Sequence, residues 1–510
     1  MLKTMMVIAA VQAATIVVGL ARTKIMAVFL GPEGVGIVGV IDQLVQVVAS
    51  ISALSLPFVG LKFLSLAHSK GAPEFARGYS SWLTALLGVT ALGAALSVGV
   101  VLWRPELLGA ELAAYRAILI PALLAVPVLP LQAFLASALA AAQRPRGSAV
   151  LALVAAVSLT AATGGGILVG GLTGLYWGSL GAGAVLLAAT VVYLKARLHL
   201  PILHPDRSVR RQLRDHPDIV AFMIISCGVT FSLPVAMFVA RHAVLASFNE
   251  AEAGLLHAAI AVSYGLGLLL GPLVSLYLMP LLSRDTPAAD KVEAAAQFQR
   301  RLAIVAVVLG MPMVLFPEWL LLLLFSPAFT SVSQVLFLFI VGVCIHSLAR
   351  VYQSLLVGLD DLVAYGVIVI AGQISLGVIA WLLVPQYGIP SVGLALVASS
   401  LGIYVAALTR LTSRHGMVVG RSSLALVVYG VGGLAVAGAL VSQAGATSPA
   451  LAMGKLGLWG LFAASLLAFL SRDERGRLTH VVEMFPGRVR GIVRDGMRAA
   501  APPERDDRGS

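Results

Sequence analysis

The feature that most limits what this chain can fold into is its run of long apolar segments, each bounded by charge, Gly or Pro. A bilayer crossing needs about 20 consecutive, mostly apolar residues, and about fourteen segments meet that length. They fall near 5–30, 35–60, 81–103, 114–142, 148–169, 173–194, 218–248, 254–281, 302–325, 333–358, 362–384, 390–411, 423–441 and 450–470. Composition agrees, since 59% of the 510 residues are hydrophobic and only 11% are charged. Soluble domains carry about a quarter charged residues, so a soluble enzyme, a disordered polar protein and a disulfide-stapled scaffold are excluded. The expected fold class is an all-α polytopic membrane protein.

The 35 Lys and Arg outnumber the 23 Asp and Glu, for a formal net charge of +12. Their placement decides what that excess means. With the N-terminus placed inside and the spans alternating, 28 of the 35 fall in inner segments and one, Arg104, in an outer loop. The other six lie within spans. This is the positive-inside asymmetry of a multi-pass protein with both termini cytoplasmic, so no nucleic-acid partner is expected. The first span is too long for a cleavable signal and carries Arg22 and Lys24. Cys227 and Cys344 both lie in spans without metal-ligand company and read as small packing residues.

The longest internal loop is basic and proline-bearing, and reads as a linker (198–217). It separates an N-terminal half of six spans (1–197) from a C-terminal half of six (218–412). An extra helix pair (413–471) and a basic cytoplasmic tail (472–510) follow. The halves echo each other. Ala21-Arg22, Ala27, Phe29 and Glu33 match Ala240-Arg241, Ala246, Phe248 and Glu252 at a constant offset, and Pro105-Glu106-x-Leu108 matches Pro317-Glu318-x-Leu320. Both halves enter from the inside, so the repeats are parallel, an arrangement that commonly encloses a cavity between halves that rock about it. Residues 473–500 read either as an interfacial helix or as a disordered tail.

Ionisable residues inside spans are costly and mark function by default. Arg22 is eight residues before the end of span 1, about 12 Å below the outer surface, and Arg241 lies at similar depth in span 7. Arg350 lies in the inner half of span 10. Lys24 is about 200° around the helix from Arg22, so the two cannot face one cavity. Arg116 and Lys455 are near enough to span ends to snorkel. Asp42 either pairs with Arg22 or Lys24 across the hairpin or carries a proton. His242, His257 and His346 read as satisfied structural histidines. Gln373 hydrogen-bonds either a sugar or a neighbouring helix. The excess of cations suits an anionic ligand, because Arg binds phosphate oxygens bidentately and most strongly when desolvated. No catalytic motif is present, so no enzyme activity, metal or cofactor is expected.

The stretch KIMAVFLGPEGVGIVGVIDQL (24–44) resembles the first hairpin of O-antigen flippases (Wzx) and related polysaccharide exporters of the MOP superfamily. Tyr277–Arg284, Leu324–Phe329 and the turn Val384–Gly393 are similar to the same family, and the resemblance covers roughly residues 1–415. It implies two six-helix lobes around a cationic cavity, and transfer of an oligosaccharide on undecaprenyl diphosphate from the inner to the outer leaflet of the bacterial cytoplasmic membrane. By position Lys24 matches a basic residue of the family's first helix, whereas the internal repeat selects Arg22. Family members often carry Glu where this chain has Gln373, a departure that argues against an ion-coupling role there. The extra pair of helices is similar to that of fourteen-helix lipid II flippases.

The expected substrate site is therefore Arg22, Lys24, Arg241, Arg350 and Gln373, with Asp42 as a coupling group or ion-pair partner. Expected partners are the lipid-linked oligosaccharide, the bilayer, and polysaccharide polymerase or assembly proteins. The rivals are an exporter of another substrate (a lipid II-type precursor or a drug), and a membrane glycan polymerase or glycosyltransferase. A cation exporter needs several cavity acids, and a glycosyltransferase or polymerase needs an acidic or large outer catalytic loop; neither pattern is in the sequence.

Overall fold

The computed structural model describes residues 2–57, 64, 71–142, 145–198, 217–283, 286–418, 420–443 and 449–467. Most of the linker and the whole tail, including the 473–500 stretch, lie outside the described residues. What is described is nearly all helical, as lipid requires. A backbone without water must satisfy its own N–H and C=O groups, and the helix does so within one segment.

Eleven helices among the described residues are long and apolar enough to cross a membrane. Two of them, at 40 and 48 residues, are twice the length of a single crossing. The first belongs to α1 (Leu2–Ala53), which breaks at Gly31 (φ 65°, ψ −174°) just before Pro32. The second belongs to α5 (Pro145–Leu198), which breaks at Gly170–Gly171. Each break turns one continuous helix into a hairpin. With α14 (Pro449–Leu467) as the last, the described residues make fourteen helical passes.

Spans 3 and 4 are α2 (Ala72–Trp103) and the pair α3 (Arg116–Leu124) and α4 (Val128–Ala141). Span 4 is interrupted at residues 125–127, where Pro127 cannot donate. Spans 7 and 8 are α6 (Pro217–Ser247) and α7 (Glu250–Leu273), and α7 runs on through a wide turn at Val274–Leu278. Span 9 departs from expectation. The apolar run 302–325 is two elements, α8 (Ala288–Leu315) and the short α9 (Pro317–Leu324), divided at the non-helical Phe316 before Pro317. Hydropathy misplaced it because Arg300 and Arg301 interrupt the apolar pattern but not the helix.

Spans 10 to 13 are α10 (Leu336–Gly358), α11 (Leu362–Tyr387), α12 (Ile389–His415) and α13 (Arg421–Gln443). The second repeat echo has a structural counterpart. Pro105–Leu108 forms a helical turn directly after span 3, as α9 does after span 9.

Helices α1 to α5 pack on one another, and α6 to α12 form a second group. The α13–α14 pair lies against α8 and α10, where Trp459 Nε1 donates to the Val308 carbonyl at 3.2 Å. The two groups meet mainly through the second arm of α1, which runs along α6 and α7. Their approach is backbone to backbone. A Cβ on Gly36 would lie 2.0 Å from the Glu250 carbonyl oxygen, and one on Gly254 would lie 1.9 Å from that of Pro32. This contact is at the end that holds the Gly31 and Ser247–Glu250 turns. Tyr115 there hydrogen-bonds Glu250 from the other group.

Candidate functional site

Intramembrane polarity collects first inside the N-terminal group. The Gly31 hairpin places Arg22 and Asp42 at matching depth on its two arms, and both line a cavity of about 280 Å³. The interrupted span 4 forms part of the wall through Ala122, Ala125 and Val128. Irregular backbone at membrane depth is tolerated where it faces such a space.

Arg22 Nε donates to Thr163 Oγ1 at 2.9 Å, and the Tyr176 hydroxyl donates to Asp42 Oδ1 at 2.9 Å. Ser179 Oγ, also on the wall, has no partner among the described residues. The expected pairing of Asp42 with Arg22 or Lys24 is absent: among the described residues no ion pair within 4.0 Å joins them. Thr163 and Tyr176 hold the two groups instead.

Lys24 points elsewhere. Its Nζ donates to the carbonyl oxygens of Leu322, at 2.7 Å, and Phe325. These are the free carbonyls at the C-terminus of α9, a favourable place for a cation. Helix α1 is regular at Gly19, so the 200° separation from Arg22 holds. Arg22 faces the cavity and Lys24 does not.

Arg241, the repeat counterpart of Arg22, is 6% exposed and sits where the two groups of helices meet. One terminal nitrogen bonds His257 Nδ1 at 2.9 Å, and its Nε has no partner among the described residues. Gly39 of α1 lies against this pair so closely that a Cβ would be 2.5 Å from His257 Nδ1 and 2.7 Å from the guanidinium. Asp42, one turn along, acts electrostatically on Arg241. The structure thus brings Arg22, Asp42 and Arg241 into one neighbourhood that spans both groups of helices.

Arg350 is half-buried and makes no hydrogen bond or ion pair to a described residue. Its guanidinium lies beside Gly271 of α7, with His346 one turn earlier and Tyr365 of α11 in electrostatic reach. Gln373 is 4% exposed in α11 and lines neither the Arg22 cavity nor the cleft at the N-terminal end of α11. His257 is satisfied by Arg241, but His242, stacked on Phe238 at 5.7 Å, leaves Nδ1 without a described partner. Arg116 caps the Leu102 carbonyl at 3.1 Å, and Lys455 lies over the Phe316 ring at 5.7 Å.

Two polar groups were not singled out from the sequence. Gln299 of α8 is 1% exposed with both amide atoms unpartnered among the described residues, and the buried Gln353 of α10 has a free Nε2. A lone glutamine within an apolar helix was the available signal. Among the described residues no His, Cys, Asp and Glu gather as a metal site.

No protein-family model matches the sequence, and no curated protein matches it. Solved structures do match the fold. One is the lipid II flippase MurJ in an inward closed conformation, with TM-score 0.68, 12% identity, and coverage of 92% of this chain and 99% of that one. Another is a multidrug resistance MATE transporter of the MOP superfamily in an inward-facing conformation, with TM-score 0.63, 14% identity, and coverage of 86% and 99%. A third, the MATE multidrug transporter DinF-BH, gives TM-score 0.55 at 13% identity, covering 81% and 96%. The chain therefore shares the fold of these three solved membrane proteins.

Proposed function

We propose that this chain is a flippase that carries an undecaprenyl-diphosphate-linked oligosaccharide, an O-antigen or exopolysaccharide repeat unit, across the bacterial cytoplasmic membrane by alternating access. The observation that supports this reading is the state of the buried arginines. No carboxylate lies within 4.0 Å of Arg22, Arg241 or Arg350 among the described residues, and Arg241 keeps an unpartnered Nε. A desolvated guanidinium with spare donors is costly unless an anion supplies the missing bonds. A diphosphate supplies several oxygens. The cavity beside Arg22 is near the lower end of the size range of small-molecule sites, so it takes charged groups, and the sugars lie between the two halves.

In this mechanism Arg350 meets the headgroup on the inner side, and Arg22 and Arg241 hold it nearer the outer exit. Lys24 acts through the α9 carbonyls, and Gln373 supports helix packing. Asp42 shares the cavity wall with Arg22 and is the group we assign to couple transfer to a proton. Tails stay in the bilayer while the lobes rock, with both termini cytoplasmic, and polymerase or assembly proteins receive the product. A lipid II-type precursor presents the same diphosphate, and the likeness to a lipid II flippase over most of the chain favours it as the second reading. An exporter of organic cations fits less well, because the cavity offers one carboxylate and Tyr176 already engages it.

The test is to replace Arg22, Arg241 and Arg350 singly by Ala and measure lipid-linked oligosaccharide accumulating on the inner leaflet. Accumulation in the Arg241 variant and in at least one other is expected. Normal export in all three overturns the assignment.

A further inference from the structure

A second polar site lies at the opposite end of the molecule from the Gly31 turn, in the cleft formed by the inner ends of α11 and α12 and the flank of α6. The cleft is about 1010 Å³ and opens outward. Four charged residues line it: Asp360, Asp361, Arg410 and Arg414. Two of them neutralise each other. Arg410 Nε donates to Asp361 Oδ2 at 2.8 Å and its NH2 to Oδ1 at 3.3 Å, and His415 Nε2 lies 3.3 Å from Oδ2.

The other two, Asp360 and Arg414, are exposed, and neither side chain hydrogen-bonds a described residue. The mouth therefore presents one free carboxylate and one free guanidinium. Asp360 takes a left-handed conformation (φ 57°), which Asp tolerates better than most residues. The turn between α10 and α11 is thus built around it.

The remaining wall is apolar. Val363 and Val367 are exposed on one face of α11, and Ile225 closes the side. That face continues at helical spacing through Ile374 and Val378 to Trp381, all exposed, reaching the far end of the span where Trp is enriched at the membrane interface. An exposed apolar stripe of full span length is a lipid-facing stripe, and the charged mouth sits at its inner end.

The geometry points to a binding site for a phospholipid whose headgroup carries both a phosphate and a primary ammonium, such as phosphatidylethanolamine. The phosphate pairs with Arg414, the ammonium donates to Asp360, and an acyl chain lies along Val363 and Val367. A glycerol headgroup pairs its phosphate with Arg414 equally well but presents no cation to Asp360. A choline headgroup has no N–H and cannot hydrogen-bond the carboxylate. Both bonds are charge-assisted but solvent-exposed, so roughly fivefold selectivity is the expected scale.

The test uses the full chain in nanodiscs of mixed lipid, with tightly bound phospholipid counted by native mass spectrometry. Phosphatidylethanolamine should be retained about fivefold over both phosphatidylcholine and phosphatidylglycerol. Asp360→Asn should abolish the preference over phosphatidylcholine, and Arg414→Gln should lower retention of all three. A series of mono-, di- and trimethylated headgroups on the unaltered protein gives the same reading without any variant, with retention falling as N–H donors are removed. Equal retention across that series, preferred phosphatidylglycerol, or an unchanged preference in Asp360→Asn each overturns the proposal.

Discussion

A terminal guanidinium nitrogen of Arg241 bonds Nδ1 of His257 at 2.9 Å. Arginine only donates, so His257 accepts and is held as the neutral tautomer with its proton on Nε2. The pair sits where α1 meets α6 and α7, locked by the close approach of Gly39. His257→Phe strands the buried cation and should destabilise the protein by about 1–3 kcal/mol. Arg241→Leu removes the charge itself and should cost less, because a buried ion replaced by an apolar side chain is often near neutral. Transport should still fail in Arg241→Leu. Thermal unfolding of the solubilised protein beside a transport assay checks this: a Leu variant that is stable and active would remove Arg241 from the site.

The backbone contact between Gly36, Gly254 and their partners joins the two groups of helices at the Gly31 end, and no side chain fits there. Gly254→Ala places a Cβ 1.9 Å from the Pro32 carbonyl oxygen, so the two halves must part. Gly265→Ala, on the same helix with nothing within 4 Å, is the matched control. Transport should fall at least about tenfold in the first, the effect of about 1.4 kcal/mol on the closed state, and stay unchanged in the second. Equal rates in both would show that the contact does not govern closure.

Much of this architecture was legible in the residues. The pair Gly31–Pro32 announces the hairpin, since only Gly takes φ 65° cheaply and Pro cannot continue the donor ladder. The offset between Arg22 and Arg241 located two cations that the fold brings toward Asp42. What sequence could not supply was partners across helices. Thr163 and Tyr176 are ordinary residues in apolar spans, yet they hold Arg22 and Asp42. The destination of Lys24 depends on α9, 298 positions later at Leu322 and hidden inside a hydropathy window that merged it with α8. Gln299 and Gln353 matter because of burial, which no window reports.

Tyr115 of the N-terminal half donates to Glu250 of the C-terminal half at the Gly31 end of the molecule. Burial, the bond to Glu250 and the charges of Glu250 and Glu33 push its phenol up to about 12. A raised value means the contact contributes fully below the ordinary tyrosine value near 10 and is lost as pH rises from there to about 12. Tyr115→Phe removes the donor at every pH and should weaken outer closure by about 1 kcal/mol, roughly a fivefold change in the open population. The readout is labelling of Ser179→Cys by an impermeant thiol reagent, in a chain whose Cys227 and Cys344 are replaced by Ala. Identical labelling with Tyr and Phe at 115 would rule the contact out as a closure element.

Asp361, at the N-terminal end of α11, should govern acid sensitivity. The hydrogen bond from Arg410 holds its carboxyl below the usual range, burial opposes that, and His415 and the charge of Arg414 add to the lowering. A depressed carboxylate contributes stability above its unfolded value, near 3.9, and loses it as pH falls further. Arg410 is partly exposed, so the effect is modest. Unfolding of the solubilised chain from about pH 5 to about pH 3 should show a loss of stability that Asp361→Asn abolishes. An unchanged acid limb in that variant would assign the loss to other groups.

The charge of the proposed substrate sets the direction of transport. A diphosphate headgroup of about −2 that leaves an inside-negative cell gains roughly 2.3 kcal/mol per charge per 100 mV, hence about 4–5 kcal/mol in all. That is enough to bias outward movement by more than a thousandfold, provided the arginines that hold it stay in place as the halves rock. Arg22 is tied to Thr163 within its own half, and Arg241 to His257 within the other, so neither travels with the ligand across the membrane. Flipping in reconstituted vesicles should therefore slow when the potential is collapsed at constant pH, and reverse when it is inverted. Rates indifferent to potential would mean that a compensating cation crosses with the headgroup, and Asp42, the one cavity carboxylate, would then be the residue to substitute first.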